Sequence, residues 1–172
     1  MNFISEYKKC WSNDFNEIAR FLEIYLPHGV QIHHVGSTSV PGMIAKDIID
    51  VDIECSGGSM DQVVAHLAEA GYEHMGNQGI PTREAFRPRD DSTASRLRPH
   101  HLYACETGSP ELRRHLAFRD FLLANPHRAE WLAAEKFRVD NNAKSRDEYI
   151  DNKAASYEII VSEAICWLAN LR

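Results

Sequence analysis

The fold depends on one stretch of sequence, His33-His34-Val35-Gly36-Ser37-Thr38-Ser39-Val40-Pro41-Gly42-Met43-Ile44-Ala45-Lys46-Asp47-Ile48-Ile49-Asp50-Val51-Asp52-Ile53-Glu54. Residues 30–35 have β character, residues 36–46 are small and hydroxylated, and residues 48–55 alternate between apolar and acidic side chains. Pro41 and Gly42 interrupt the middle part, which therefore predicts a turn. The parts on either side of it predict two short strands.

Two aspartates share one face of the second predicted strand. Same-face residues on a strand lie roughly 7 Å apart at Cα, so the carboxylates of Asp50 and Asp52 can converge on one cation. Neighbouring carboxylates repel each other, and a divalent cation removes that repulsion. Oxygen ligands suit Mg²⁺ or Mn²⁺ better than Zn²⁺. The pattern therefore predicts a metal site, and the alternative is an acidic strand face that only contacts water.

The turn before this strand has the composition of a phosphate-binding segment. Gly36 lets the backbone approach a ligand closely, and exposed N–H groups in a tight turn bind anions. Ser37 and Thr38 add hydroxyl donors. A P-loop is excluded because Gly36 and Gly42 are one residue too far apart and no lysine follows Gly42 directly. The alternative is a tight turn between two core strands.

These motifs resemble known families. Gly-Ser, then about a dozen residues, then Asp-x-Asp is similar to the signature of the nucleotidyltransferase fold of DNA polymerase β and the aminoglycoside nucleotidyltransferases. More closely, the run from His34 to Asp52 resembles the GrpB family, whose pattern is approximately His-hydrophobic-Gly-Ser-Thr-Ala/Ser-Val-Pro-Gly-Leu-x-Ala-Lys-Pro-Ile-Ile-Asp-Ile. Later residues match further blocks of that family: His101-Leu102-Tyr103, Phe118-Arg119-Asp120-Phe121-Leu122, Asn125-Pro126, Lys136, Tyr149 and Lys153.

The resemblance implies an α/β fold (α+β in detail), in which helices pack on a small mixed sheet and the C-terminal part is helical. It implies that Gly36 and Ser37 hold the β- and γ-phosphates of a nucleoside triphosphate, while Asp50 and Asp52 hold Mg²⁺ (or Mn²⁺). A hydroxyl of an unknown small-molecule or protein acceptor then attacks the α-phosphorus, and pyrophosphate leaves. Metal and cationic groups neutralise the charge on the transferring group in such reactions.

Several cationic residues are candidates for phosphate contacts. Lys46 belongs to the matched motif, and the resemblance implies that Lys136 and Lys153 reach the triphosphate. Arg83 and Arg87 flank an apolar pair on a predicted strand, and the guanidinium fork matches phosphate geometry. The alternative for all of these side chains is simple exposure to solvent.

His101 is the candidate general base. Residues 100–106 predict a third main strand, with His101 and Tyr103 on one face. If this strand pairs beside Asp50, His101 points at the metal site, where an imidazole can act as a base at neutral pH. Active members of the wider superfamily carry a third carboxylate on such a strand, and none is present here. Glu54 and Glu106 are the alternative acids.

Three functions therefore remain open from the sequence. The first is a Mg²⁺-dependent nucleotidyltransferase with Asp50, Asp52 and His101 as catalytic residues. The second is a nucleotide- or phosphate-binding module without chemistry. The third is a metal-dependent phosphoester hydrolase that uses the same three side chains.

Bulk composition indicates a globular protein. The chain has 172 residues, 44% of them hydrophobic, and a formal net charge of −6, so it predicts one domain with a possible helical subdomain over residues 109–172. The negative charge gives no strong signal for nucleic-acid binding. Four scattered cysteines and the absence of a signal-like or membrane-spanning run predict a cytoplasmic protein.

The remaining elements follow from periodicity and capping signals. Ser59 with Gln62 and Ser145 with Glu148 predict capping boxes, and Ser109-Pro110-Glu111 predicts a helix start. The predicted helices are 3–26, 59–70, 110–124, 126–140 and a final helix from 145; the further strands are 72–75 and 83–86.

Overall fold

A five-stranded mixed sheet forms the centre of the protein, whose structure is a computed structural model that describes residues 4–142 and 146–171, with backbone only for 146–153. Its strands lie in the order β1-β2-β5-β4-β3. Strands β2 and β5 are parallel, and the other neighbours are antiparallel. The bounds are β1 Gln31–Val35, β2 Ile49–Cys55, β3 Tyr72–His74, β4 Arg83–Pro88 and β5 His100–Glu106.

Helices cover both faces of this sheet. Their bounds are α1 Cys10–Glu23, α2 Met60–Glu69, α3 Pro110–Ala124, α4 Pro126–Asn142 and α5 Arg146–Asn170. Helices α1 and α2 pack on Ile49, Val51 and Ile53, which are fully buried on one face of β2. Helices α3 to α5 pack on each other around a second apolar cluster, and α3 contacts the opposite face of the sheet. The predicted α+β class with a small mixed sheet is confirmed.

The second apolar cluster also includes Val40 and Met43 from the segment that follows β1. This segment therefore anchors the turn after β1 to the C-terminal helices. The independence of residues 109–172 as a subdomain stays a prediction. Within the described residues, no helix combines the length and the apolarity needed to cross a bilayer.

Two predicted helix starts differ from the structure. Helix α1 begins at Cys10 rather than at residue 3, because Ser5 forms a backbone bridge with Ala45. The capping box at Ser59 is wrong, since the Ser59 hydroxyl donates to the carbonyl of Ser56 at 2.7 Å instead of accepting from the helix. The predicted capping box at residues 145–148 lies outside the described side chains.

Other local predictions are confirmed. Ser109 Oγ accepts a hydrogen bond from the amide of Leu112, and α3 ends at Ala124 as its sequence predicts. Strand β5 has the predicted bounds. Strands β2 and β5 are parallel, so both begin at the same edge of the sheet. Strand β1 ends at this edge, and the turn after β1 therefore lies beside the first residues of both strands.

Candidate active site

Asp50 and His101 are direct neighbours across the β2–β5 pair. The Nδ1 atom of His101 lies 2.8 Å from Asp50 Oδ1, which is the distance of a charge-assisted hydrogen bond. The Asp50 side chain is 34% exposed and the His101 side chain 54% exposed, so both face open space. The predicted orientation of His101 toward the acidic strand is therefore observed.

Asp52 lies on the same sheet face but is completely buried. Its Oδ2 atom accepts from Nδ1 of His115 on α3 at 2.7 Å, and the other ring nitrogen of His115 lies 3.3 Å from Glu111 Oε1. Burial lowers the pKa of His115, but the bonds to Asp52 and Glu111 outweigh it and raise that pKa to about 9. His115 is therefore an imidazolium at neutral pH that balances one buried carboxylate.

Each aspartate has one carboxylate oxygen that its histidine partner does not bond, and oxygens of this kind suit a hard divalent cation. Asp52 Oδ1 is buried and, within the described part of the chain, has no hydrogen-bond partner, while Asp50 Oδ2 faces Gly36. An orphaned buried carboxylate oxygen is costly unless a ligand satisfies it. No cluster of three or more His, Cys, Asp or Glu side chains with metal-binding geometry occurs among the residues described. A cation here would therefore complete its shell with water or substrate oxygens.

Gly36 brings the backbone against the carboxylate of Asp50. Its backbone angles, φ +69° and ψ −167°, fall in a region that is essentially restricted to glycine. A Cβ atom at this position would lie 2.3 Å from Asp50 Oδ2. Ser37–Ser39 then form a 3₁₀ turn whose first residue faces the same cleft. The predicted turn and the predicted acidic strand thus lie against each other in one cleft.

Lys136 connects the C-terminal helices to this turn. It is buried on α4, and its Nζ atom donates to Ser37 Oγ at 2.5 Å and to the Ile44 carbonyl at 3.0 Å. Burying an ammonium group is unfavourable unless it is hydrogen-bonded, and both bonds lead to the segment between β1 and β2. The lysine therefore holds a positive charge beside the glycine turn.

Two cavities meet at Ser37 and Asp50. One, of about 200 Å³, is lined by Tyr103, Phe118, Tyr157, Arg83 and His115 as well as the shared residues; we call it the aromatic cavity. The other, of about 230 Å³, includes Thr38, Lys46, His101 and Lys136; we call it the polar cavity. The structure therefore brings together eight of the residues expected from the sequence: Gly36, Ser37, Thr38, Lys46, Asp50, Arg83, His101 and Lys136.

One expected phosphate contact, Arg87, is not brought into this cleft. Arg87 forms an ion pair with Glu73 at 2.6 Å and its side chain is 64% exposed, so it lies apart from both cavities. The side chain of Lys153 lies outside the described residues. Of the alternative acids, Glu54 bonds to His33 at 2.8 Å, and Glu106 lies at the far end of β5 from His101.

Sequence reasoning did not find His115 and Glu111. Both lie on the first turns of α3, and their spacing of four residues places them on the same helix face. One sequence signal could have indicated them. It is an acid and a histidine four residues apart, immediately after the strand β5 that carries His101. Their importance depends on α3 crossing the sheet face over Asp52, which no local pattern predicts.

His34 is a half-buried neutral group next to the turn. It bonds to Thr38 Oγ1 at 3.0 Å and stacks on Phe15 with ring centroids 4.7 Å apart. Burial lowers its pKa to about 4, Asp50 opposes this shift, and Arg119 adds to it. The folded protein therefore holds this imidazole in its uncharged form at neutral pH.

We expect His34 to make the protein sensitive to acid. The unfolded chain takes up a proton near pH 6.5 and folded His34 only near pH 4, so the free energy of unfolding decreases as the pH falls through this window. In His34→Gln, which does not titrate, urea denaturation between about pH 7 and about pH 4 should show a loss smaller by roughly 2 kcal/mol. His28→Gln changes an exposed histidine and should keep the wild-type loss; equal losses in all three proteins would contradict the role of His34.

The fold defines the class of protein: an α+β protein with a nucleotidyltransferase-like fold. The structure superposes on that of the Cid1 poly(U) polymerase with a TM-score of 0.51 at 8% identity, covering 78% of this chain and 43% of Cid1, which shows a common fold. The family model for GrpB protein matches residues 3–163, and this chain belongs to the GrpB family.

Individual relatives agree with this assignment. The crystal structure of the conserved protein GrpB from Enterococcus faecalis has a TM-score of 0.79 at 31% identity, with 96% of this chain and 98% of that chain covered. The UPF0157 protein YqkA of Bacillus subtilis is 35% identical over 150 residues, which are 86% of this chain but only 42% of YqkA. The resemblance expected from the motif at residues 34–52 is thus confirmed.

Proposed function

We propose that this protein is a Mg²⁺-dependent nucleotidyltransferase that moves a nucleoside monophosphate from a nucleoside triphosphate to a hydroxyl acceptor. The observation that carries the proposal is the contact between Gly36 and the Asp50 carboxylate in a cleft shared by two cavities. Asp50 would hold the cation and the turn would hold the phosphate, and a cation neutralises phosphate charge only where the two groups lie this close together.

The residues around the turn are suited to a phosphate chain. The Ser37 hydroxyl, the Thr38 side chain and the ammonium groups of Lys46 and Lys136 lie in or along the polar cavity. Charge-assisted hydrogen bonds from such groups bind phosphate strongly. Asp50 and Asp52 would hold Mg²⁺, which when bound supplies charge neutralisation for the transferring phosphoryl group. His115 keeps the Asp52 carboxylate oriented from behind.

His101 is the residue placed to take the proton of the acceptor. A bond forms between the acceptor oxygen and the α-phosphorus as the bond from that phosphorus to the pyrophosphate oxygen breaks. The acceptor proton passes to Nε2 of His101, while Nδ1 bonds to Asp50 and fixes the tautomer. Pyrophosphate leaves with the two released phosphoryl groups, so atoms and charge balance.

One observation favours a second candidate, a nucleotide sensor without chemistry. Strand β5 places His101 and Tyr103 beside Asp50 and Asp52, where the superfamily pattern has an acid. If these side chains do not activate an acceptor, the site binds a nucleotide and its metal and releases them unchanged. Turnover separates the two candidates, since both predict metal-dependent nucleotide binding.

The test is a calorimetric screen of the four ribonucleoside triphosphates with and without Mg²⁺. We expect one or more of them to bind with Mg²⁺, and binding to weaken about tenfold or more in Asp50→Asn, because one carboxylate ligand is lost. Asp61→Asn alters an exposed acid on α2, on the opposite side of the sheet, and should bind like the wild type. Binding that is equal in all three proteins would refute both candidates. Pyrophosphate release lost in Asp50→Asn would then select the transferase over the sensor.

A further inference from the structure

Arg83 is an unusual cation for a folded protein. It is only 7% exposed, yet its buried Nε atom has no hydrogen-bond partner within the described part of the chain. Its contacts are the ring of Tyr103, which lies 4.5 Å below it, and Glu111 Oε1 at 3.6 Å from its NH1 atom. A buried guanidinium donor that is left without a partner is costly, and such an atom calls for an explanation.

Glu111 does not satisfy this side chain. The distance of 3.6 Å is beyond that of a hydrogen bond. The same carboxylate also faces His115 at 3.3 Å and Arg114 at 3.8 Å. One carboxylate is therefore shared among three side chains. The guanidinium of Arg83 retains the capacity to bind an oxyanion at the wall of the aromatic cavity.

The position of the aromatic cavity relates it to the proposed reaction. It meets the polar cavity at Ser37 and Asp50, and Lys46 and Lys136 lie on the polar side. In-line phosphoryl transfer requires the attacking oxygen and the leaving pyrophosphate on opposite sides of the α-phosphorus. If the phosphate chain occupies the polar cavity, the acceptor approaches from the aromatic one. Its hydroxyl would then meet His101 at the boundary of the two cavities, where Asp50 bonds to His101 and lines both.

We propose that the aromatic cavity is the acceptor site and that it takes a small molecule bearing, besides its hydroxyl, a carboxylate or phosphate group held by Arg83. This inference rests on the proposed function. A volume of about 200 Å³ admits one ring and its substituents rather than a peptide segment. Phe118 and Tyr157, with ring centroids 5.1 Å apart, and Tyr103 offer flat apolar walls to such a molecule.

The test uses ligands of one shape and different charge, measured by calorimetry on the full chain. The probes are benzoate and phenyl phosphate, with neutral benzamide as the matched control. We expect at least one oxyanion to bind about tenfold more tightly than benzamide. This preference should disappear in Arg83→Met and persist in Arg87→Met, which removes the exposed arginine of the same strand. Tighter binding of benzoate would indicate an acceptor with a carboxylate, and tighter binding of phenyl phosphate would indicate an acceptor with a phosphate.

Several outcomes would overturn the proposal. The first is that the wild type shows no preference for the oxyanions over benzamide. The second is that this preference survives in Arg83→Met. The third is that Arg83→Met loses nucleoside triphosphate binding, which would assign the guanidinium to the triphosphate. A wild-type protein that binds oxyanions through Arg83 but no nucleotide would refute the transferase and the acceptor role, and would leave an oxyanion site of another purpose.

Two further measurements keep the test decisive if Arg83→Met does not fold. Arg83→Lys retains the charge without the planar fork, so it should keep a weakened preference for the oxyanions. In the wild type, NMR spectra should show the probe shifting ring signals of Tyr103 and Phe118 but not the side-chain signals of Lys136. Shifts at Lys136 without shifts at Tyr103 would place the probe in the polar cavity and refute the assignment.

Discussion

Gly36→Ala is expected to lower Mg²⁺-dependent nucleotide binding by about 100-fold or more and to cost roughly 2–3 kcal/mol of folding free energy. The new Cβ atom would lie 2.3 Å from Asp50 Oδ2, so either the turn or the carboxylate must move. Movement of either separates the proposed phosphate turn from the proposed metal ligand. Calorimetry with Mg²⁺ and the triphosphate selected by the screen measures the first effect, and urea denaturation measures the second.

Gly42→Ala is the matched control for this substitution. Gly42 lies in the same connecting segment with a φ of +81°, but a Cβ atom there would meet nothing within 4 Å. A left-handed backbone conformation costs a non-glycine residue about 1 kcal/mol. The control carries this cost without the collision. It should bind nucleotide like the wild type. If both variants lose binding equally, the loss comes from backbone strain in the segment and the contact with Asp50 is irrelevant.

Lys136→Met is expected to weaken triphosphate binding by about 30-fold or more, because a charge-assisted hydrogen bond to phosphate contributes roughly 2–3 kcal/mol. Methionine fills a similar volume, so the buried position on α4 stays occupied. The measurement is the increase in melting temperature that saturating nucleotide and Mg²⁺ produce, which reports binding separately from the stability of the free protein.

Lys9→Met serves as the control for a change of charge, since Lys9 is exposed just before α1. It should leave the nucleotide-dependent increase unchanged. If Lys136 only stabilised the fold, the two measurements would give the reverse result. The melting temperature of free Lys136→Met would fall, and the added stabilisation by nucleotide would remain equal to that of the wild type.

The alternating strand and the glycine turn were predictable because their signals are local. Asp50, Asp52, Gly36 and Ser37 follow from a period of two and from the turn chemistry of small residues. The helix start at Ser109 follows in the same way from a cap and a proline. The family resemblance added Lys136, which no local pattern indicates as part of a site.

The burial of Asp52 was not predictable from its strand. Alternation assigns it to the same face as Asp50, and the register confirms that assignment. Its solvent exposure is decided by α3, whose His115 covers it from a position 63 residues away in the chain. Sequence periodicity describes which face a residue occupies and contains no information about which helix covers that face.

Arg83 and Arg87 show the same limit on β4. They are four residues apart and share a sheet face, so the sequence treats them alike. Arg83 pairs in register with Cys105 of the central strand β5, whereas Arg87 pairs with Glu73 of the edge strand β3. Arg83 lies beside Glu111 of α3 and is buried, whereas Arg87 is exposed to solvent, a difference that their shared sheet face does not predict.

The parallel pairing of β2 and β5 has a consequence for how the protein acquires its site. Asp50 and His101 are 51 residues apart, and Ser37 and Lys136 are 99 residues apart. Such distant pairings close late in folding, since the entropy of long loops must be overcome before they form. Neither the N-terminal hairpin nor the C-terminal helices alone contain all the residues that line the two cavities, so the proposed nucleotide site forms only once both parts have assembled.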